Sequence, residues 1–355
     1  MRVAGIMSGT SLDGIDVAVI ETDGKRIETI ATSTTAYPRG TRERILNAST
    51  PADLSRLNFE LGELFAKAAA RLGERFDLVG CHGQTIYHEG GGKHRNTLQI
   101  GEASVLAERL GVPVVSDFRT RDIAAGGVGA PLVPLVDYLL LASKQRDRVA
   151  LNIGGIANIT VLPRGGSSDQ VIAFDTGPGN MVIDQLVTRM SEGKQSFDRN
   201  GAIACRGPVN QTLLRSLLLN PYYRAKPPKT AGREEYGADF VDRIVAAGLP
   251  FEDLIATATA LTAATIAEGV KRFAPAAQEL IAAGGGVHNR QLMGQLAAFL
   301  PDTRVTTTAE FGIDPDAKEA IAFAFLAYRT WKRQPGNLPS ATGARRMVVL
   351  GKVTF

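Results

Sequence analysis

The chain has little of what several protein classes require. Its 355 residues include two cysteines, Cys81 and Cys205, and four histidines, with neither a Cys-x-x-Cys nor a His-x-x-x-His spacing. A disulfide framework and a zinc site are therefore not expected, and two lone thiols suit a reducing, cytoplasmic compartment. Aromatic residues make up only 6% and no run of five basic residues occurs. A formal charge of +4 over this length is a weak field, so no nucleic-acid partner is expected. No apolar run approaches the roughly 18 residues of a membrane span. The longest, 132–142, is broken by Pro134 and Asp137, and the apolar stretch 3–7 is too short for a signal peptide, so no membrane is expected. Neither GxxxxGK[ST] nor GxGxxG is present, which withdraws support from the P-loop and dinucleotide folds.

Glycine is plentiful instead: 38 residues, above the roughly 7% of average usage. The glycines cluster at the ends of apolar runs, in GIMSGTSLDG, HEGGG, AAGGVGAP, NIGGIAN, DTGPGN and AAGGG, where the backbone turns or approaches something closely. The first 36 residues read as three strands, with an Asp23-Gly24 hairpin between the second and third. Helices over 41–48 and 52–74 follow, then strands at DLVGCHG and HRNTLQIG, a helix over 102–110 and a strand at VPVVSD. The opening pattern returns at Arg148: RVALNIGG, IANITVLP and VIAFDTG are three strands again. Helices over 180–190, 209–219, 236–247 and 253–273, a strand at ELIAAGGG and a helix at NRQLMGQLAAFL complete the second unit. The repeat predicts an α/β protein of two like-built lobes with a cleft between them, 1–125 plus 336–355 and 126–335. The first lobe takes back the C-terminal strand MVVLGKVTF.

Several segments carry groups that suit chemistry, each with a plainer reading beside it. Gly9-Thr-Ser-Leu-Asp-Gly-Ile-Asp16 joins two strands; the amides and hydroxyls of Thr10 and Ser11 suit anionic oxygens, and Asp13 and Asp16 suit a hard cation such as Mg²⁺. The same residues also suit an ordinary hairpin. Gly154 and Gly155 repeat the design in the second unit, either as a phosphate turn or as a bend in a buried sheet. Asp175 stands at a strand end before Pro178, either as a general base or as a cap of the helix that begins near Asn180. Gly284, Gly285 and Gly286 form either a flat platform for an adenine ring or a simple turn. Cys81 and His82 are adjacent on a strand and point to opposite faces, which argues for a core thiol beside a polar His82/Gln84 face and against a Cys/His pair. Arg119, Arg121 and Asp122 form either an anion fork or a solvated loop, and Lys229 and Arg233 read the same way. Glu319 is either a first-turn charge of its helix or a cleft carboxylate.

Taken together, GIMSGTSLDGIDVAV, CHGQTIYH, LQIGEAS, DFRTRDIAAGGVGAPLVP, LNIGGIANIT, FDTGPGNMVID, Gly232-Arg-Glu234, AAGGGVHN, DPDAKEAIAFAFLA and NLPSATGA closely resemble the anhydro-N-acetylmuramic acid kinases, over residues 5–344. That family lies within the actin-like ATPase, ribonuclease H-like superfamily of sugar kinases. The resemblance implies a homodimeric enzyme that uses ATP and Mg²⁺ on an amino sugar. ATP would be held by Gly9, Thr10, Ser11, Leu12, Asp13, Gly14, Ile15 and Asp16, by Gly154 and Gly155, and by Gly284 to Gly286. Asp175 would be the base, Glu319 would orient the attacking water, and His82, Gln84 and Arg119 would bind the sugar. Two departures stand out: Met7 occupies the place where actin-like kinases usually carry an aspartate, leaving any metal contact to Asp13 or Asp16, and Ala231 lacks the hydroxyl common in the family. An ordinary hexose kinase, or a nucleotide-dependent interaction protein, would share the fold; only the anhydro-sugar reaction puts a water oxygen on the anomeric carbon.

Overall fold

The computed structural model describes residues 1–9, 12 and 14–355. Its strands are β1 (Arg2–Ser8), β2 (Ile15–Thr22), β3 (Ile27–Thr35), β4 (Leu78–Glu89), β5 (Asn96–Ile100), β6 (Val114–Ser116), β7 (Arg148–Ile153), β8 (Ile156–Leu162), β9 (Ile172–Pro178), β10 (Glu279–Ala283), β11 (Arg304–Thr307) and β12 (Lys352–Thr354). Its helices are α1 (Thr41–Asn47), α2 (Pro51–Ala70), α3 (Ala103–Leu110), α4 (Phe118–Ala124), α5 (Val133–Leu141), α6 (Met181–Met190), α7 (Gln211–Leu217), α8 (Arg233–Tyr236), α9 (Ala238–Val245), α10 (Phe251–Phe273), α11 (Arg290–Phe299), α12 (Lys318–Trp331) and α13 (Pro339–Thr342). They fall into two compact units, Met1–Leu140 with Gly312–Phe355, and Leu141–Phe311.

Each unit is built on one mixed sheet. The first runs β12-β6-β4-β1-β2-β3, with β5 paired to β4; β1, β2 and β3 are an antiparallel meander, while β4 and β6 continue parallel to β1. The second runs β11-β10-β7-β8-β9 and repeats the scheme, a meander of β7, β8 and β9 followed by parallel β10 and β11. Both sheets thus place the meander on one side of the first strand and the parallel strands on the other. This is the duplicated ribonuclease H-like, actin-like ATPase fold.

In the first unit the amphipathic face of α2 (Leu57, Leu61 and Phe65), together with Leu106 of α3, packs on Ile6, Val17, Val19 and Val79. A capping box of Thr50 and Asp53, with Pro51 at the first turn, starts α2. The other face takes α12, which packs on β1, β2 and β4. That approach needs bare backbone: a Cβ on Gly5 would lie 1.9 Å from the Ala320 carbonyl oxygen, and one on Gly80 2.3 Å from that of Phe323. In the second unit α10 and α11 cover one face of the sheet through Ala263, Ile266, Leu292 and Leu296. A separate helical core gathers α6, α9 and the N-terminal half of α10 around Tyr223, Tyr236 and Phe240.

Three local expectations change. The strand expected at DLVGCHG continues to Glu89, because Gly83 at φ 78° and a register shift let the chain bend and pair with β5. The polar segment after β6 is helical as α4, with its first residue, Phe118, buried. The C-terminal strand is only Lys352–Thr354, since its partner β6 offers three residues for pairing. Among the described residues no helix is long and apolar enough to cross a membrane.

Candidate active site

The second unit brings Asp175 and two glycine turns to one end of its sheet. β7, β8 and β9 are in register so that Asn152 faces Asn158 and Asn158 faces Asp175. Directly paired residues share a face of a sheet, which makes these three a polar row. Neighbouring Ile153, Ile159 and Phe174 point the other way, into the core. The 154–155 turn is tied to the start of α6: the Gly155 carbonyl accepts from the Gly179 and Met181 amides, that of Gly154 accepts from the Asn180 amide, and Asn180 Nδ2 donates to the Ile153 carbonyl at 3.2 Å.

Asp175 does not cap α6. Its Oδ2 accepts the Ala231 amide at 2.9 Å, and Oδ1 has no hydrogen-bond partner among the described residues. Burial raises the Asp175 pKa from 3.8 to about 6; the Ala231 amide and Lys229 pull it down, and Glu235 pushes it up. The backbone of Asp175 is held as well, its amide donating to the Lys229 carbonyl at 3.2 Å and its carbonyl accepting from the Tyr222 hydroxyl at 2.8 Å.

Gly284, Gly285 and Gly286 have different reasons to be glycine. A Cβ on Gly284, at φ 83°, would lie 2.7 Å from the Ile153 carbonyl, and one on Gly286 2.2 Å from Ile153 Cγ2; these two seat the turn on β7. Gly285 faces open space and is exposed. Next to this turn the 199–201 segment packs against α11, where a Cβ on Gly201 would meet Asn289 Oδ1 at 2.5 Å. A cavity of about 530 Å³ lies along this segment, lined by Lys194, Phe197, Asp198, Arg199 and Arg206 among others.

In the first unit the polar residues of β4 look inward. His82 is buried against Phe323, with ring centroids 4.5 Å apart, while Cys81 lies in the core on the opposite face, its thiol pushed up to about 12 by burial. His82 Nδ1 is 2.8 Å from the Gly83 carbonyl and so carries the proton; Nε2 accepts from Arg119 Nε at 3.0 Å. Burial, then Arg119, hold the His82 pKa well below 6.5, so the ring is neutral. Arg119 also donates to the Gly129 carbonyl at 2.9 Å; burial lowers its pKa to about 10, against the opposing pull of Glu319 and Asp122. Gln84 is buried with Ser8, whose hydroxyl donates to Gln84 Oε1 at 2.6 Å and lies 2.7 Å from that of Tyr37. Asp122 is neither fork nor solvated loop: fully buried, it accepts from the Gly129 amide, Asn337 Nδ2 and the Thr342 hydroxyl.

Of the 9–16 hairpin, Thr10, Ser11 and Asp13 lie outside the described residues. Leu12 and Ile15 send their side chains into the core, leaving only backbone to face a ligand. Gly14 is buried, and a Cβ there would crowd Thr34 and Thr35 at 3.1 Å. Asp16 is half-buried at the start of β2, and its Oδ1 accepts from the Thr34 hydroxyl at 2.7 Å. Among the described residues no group of three metal-ligating side chains is assembled.

Sequence reasoning passed over Asn158, Tyr222 and Ser8. Asn158 becomes visible only once β8 and β9 are in register, and Tyr222 and Ser8 hydrogen-bond to Asp175 and Gln84, residues distant in sequence.

Two β-β-β-α units with glycine turns at their strand ends define a protein of the actin-like ATPase class. The family model for anhydro-N-acetylmuramic acid kinase matches residues 1–355, and the chain belongs to that family. It is 44% identical to the anhydro-N-acetylmuramic acid kinase of Caldanaerobacter subterraneus subsp. tengcongensis, over 99% of this chain and 96% of the relative. It is 45% identical to that of Thiobacillus denitrificans, over 98% and 96%, and 43% identical to that of Gloeobacter violaceus, over 98% and 97%.

Proposed function

We propose that this chain is an ATP-dependent kinase that opens 1,6-anhydro-N-acetylmuramic acid with water and phosphorylates it to N-acetylmuramic acid 6-phosphate, in the recycling of cell-wall peptidoglycan. Family membership over residues 1–355 supports the substrate and the reaction. The observation that carries the mechanism is Asp175: a carboxyl in the middle of β9, level with the end of β7, one oxygen anchored and the other not, with a pKa of about 6. A base is most effective when its pKa lies near the working pH.

In this reading Oδ1 of Asp175 takes a proton from a water that attacks the anomeric carbon. The new carbon–oxygen bond forms as the bond to the anhydro bridge breaks. The bridge oxygen becomes the 6-oxygen and attacks the γ-phosphorus, and ADP leaves. Gly154 and Gly155 offer backbone to phosphate oxygens, and Gly285 offers a flat surface to the purine beside the 199–201 segment. Within the first unit, the 9–16 hairpin is read as a second phosphate turn. There Arg119, steered by neutral His82, suits a carboxylate of the sugar, Gln84 supports that region through Ser8, and Glu319 is assigned to the attacking water. The hard carboxylate of Asp16, half-buried and fixed by Thr34, fits Mg²⁺ held through water. When bound, such an ion neutralises phosphate charge. We further place the enzyme in the cytoplasm as a homodimer, which sedimentation would check.

The test is incubation with ATP and the anhydro-sugar in ¹⁸O-water, with mass analysis of the product. One heavy oxygen at the anomeric position is expected, together with ADP. Asp175→Asn should keep nucleotide affinity and lose at least about 10²–10⁴-fold in turnover; near-normal turnover would remove Asp175 from the chemistry.

A further inference from the structure

We propose that Lys229 and Tyr222, on the segment that wraps the end of β9, are positioning residues for Asp175, Tyr222 acting through the backbone and Lys229 through its charge. The inference rests on Asp175 being the base and deepens that reading.

In sequence Lys229 sits in PPKTAGREEYG and reads as a loop cation for an anionic ligand. The structure turns it inward. The residue is 9% exposed, and Nζ donates to the carbonyls of Tyr222 at 3.0 Å and Tyr223 at 3.3 Å. The ammonium lies 4.6 Å from the centre of the Tyr222 ring and 5.4 Å from that of Phe174. Two carbonyls and two π faces satisfy a buried ammonium, though burial and nearby Arg272 still lower its pKa. A methionine would fill much the same volume without that cost, so the charge itself needs a reason. Asp175 supplies one: each of the two raises or lowers the other's pKa in the direction expected of opposite charges.

The hydrogen bonds give the second half of the argument. The segment holds the amide of Asp175 through the Lys229 carbonyl, its carbonyl through the Tyr222 hydroxyl, and its Oδ2 through the Ala231 amide. Lys229 ties the start of this wrap at Tyr222 and Tyr223 to its end. Every polar backbone atom of the base is thus fixed by one short stretch of chain, which leaves Oδ1 the atom able to act. The charged and titratable groups that bear on the pair are Glu235 of α8, Glu268 and Arg272 of α10, and the Tyr222 hydroxyl of the 3₁₀ turn Pro221–Arg224.

The test compares the pH dependence of kcat/KM, kcat at the plateau, both KM values and thermal unfolding for the wild type, D175N, K229M, K229R and Y222F. Lys229→Met should move the acid limb upward by about half to one pH unit and lower kcat, with both KM values nearly unchanged. Lys229→Arg keeps the charge and should leave the limb in place. Tyr222→Phe should lower kcat about ten-fold without moving the limb. A folded K229M with the wild-type limb, or a K229R shifted as far as K229M, overturns the proposal while an inactive D175N leaves the base assigned. An active D175N overturns the base and the proposal together. If K229M does not fold, Y222F decides: kcat within two-fold of wild type overturns the positioning role.

Discussion

In the proposed role, Asp175 trades stability for chemistry. Its unfolded carboxyl releases its proton near pH 4, whereas the folded one retains it to about 6. Between these values the folded state binds more protons, so this group makes stability fall as pH rises, and above pH 6 the whole penalty stands. A rise from 3.8 to about 6 corresponds to roughly 3 kcal/mol, an upper figure for a half-buried group. Asp175→Asn cannot ionise and can still accept the Ala231 amide. It should be more stable than wild type by about 1–3 kcal/mol at pH 8 and indistinguishable from it near pH 3.5. Urea unfolding at the two pH values checks this, and equal differences at both would refute it. The candidate role of Asp175 was legible in sequence from its place between an apolar strand and Gly177-Pro178. Its elevated pKa was not, because burial by Tyr222 and the wrap depends on residues far along the chain.

Among the elements, α12 depends most on residues outside itself. Its helical pattern is evident in KEAIAFAFLAYRTW, but Ala, Phe and Leu are spread around the helix, so the sequence alone does not say which side meets a sheet. Gly5 and Gly80 decide it, by allowing the helix backbone to lie on β1 and β4. A buried ion pair, Lys318 to Asp137 at 2.7 Å, then fixes its first turn to α5. Gly80→Ala places a methyl against the Phe323 carbonyl, which cannot move without the helix. We expect a loss of about 2–3 kcal/mol and a melting point lower by roughly 5–10 °C. Gly285→Ala, whose new methyl would meet nothing within 4 Å, should melt as wild type does and instead weaken nucleotide binding. Differential scanning calorimetry with nucleotide titration separates the two cases.

At the level of the molecule, the second unit is one continuous stretch, Leu141–Phe311, whereas the first is made of two segments joined in space. The first sheet takes α12 and β12 from residues beyond the second unit, so a fragment 1–140 would expose the face of β1, β2 and β4 that α12 covers. A fragment 141–311 contains its own sheet and both of its cores. It should unfold cooperatively in urea when produced alone, while 1–140 should not. A cooperative transition for 1–140, or none for 141–311, would contradict the division.

The sequence by itself determined the repeated strand–turn–strand pattern, the glycine turns and the family, because periodicity and backbone freedom are local properties that residues advertise to their neighbours. Only the tertiary structure decided that Lys229 and Asp122 are buried, that His82 steers Arg119, and that Asn158 stands beside Asp175. Register, burial and electrostatic environment arise between segments distant along the chain, and no window of sequence contains both partners.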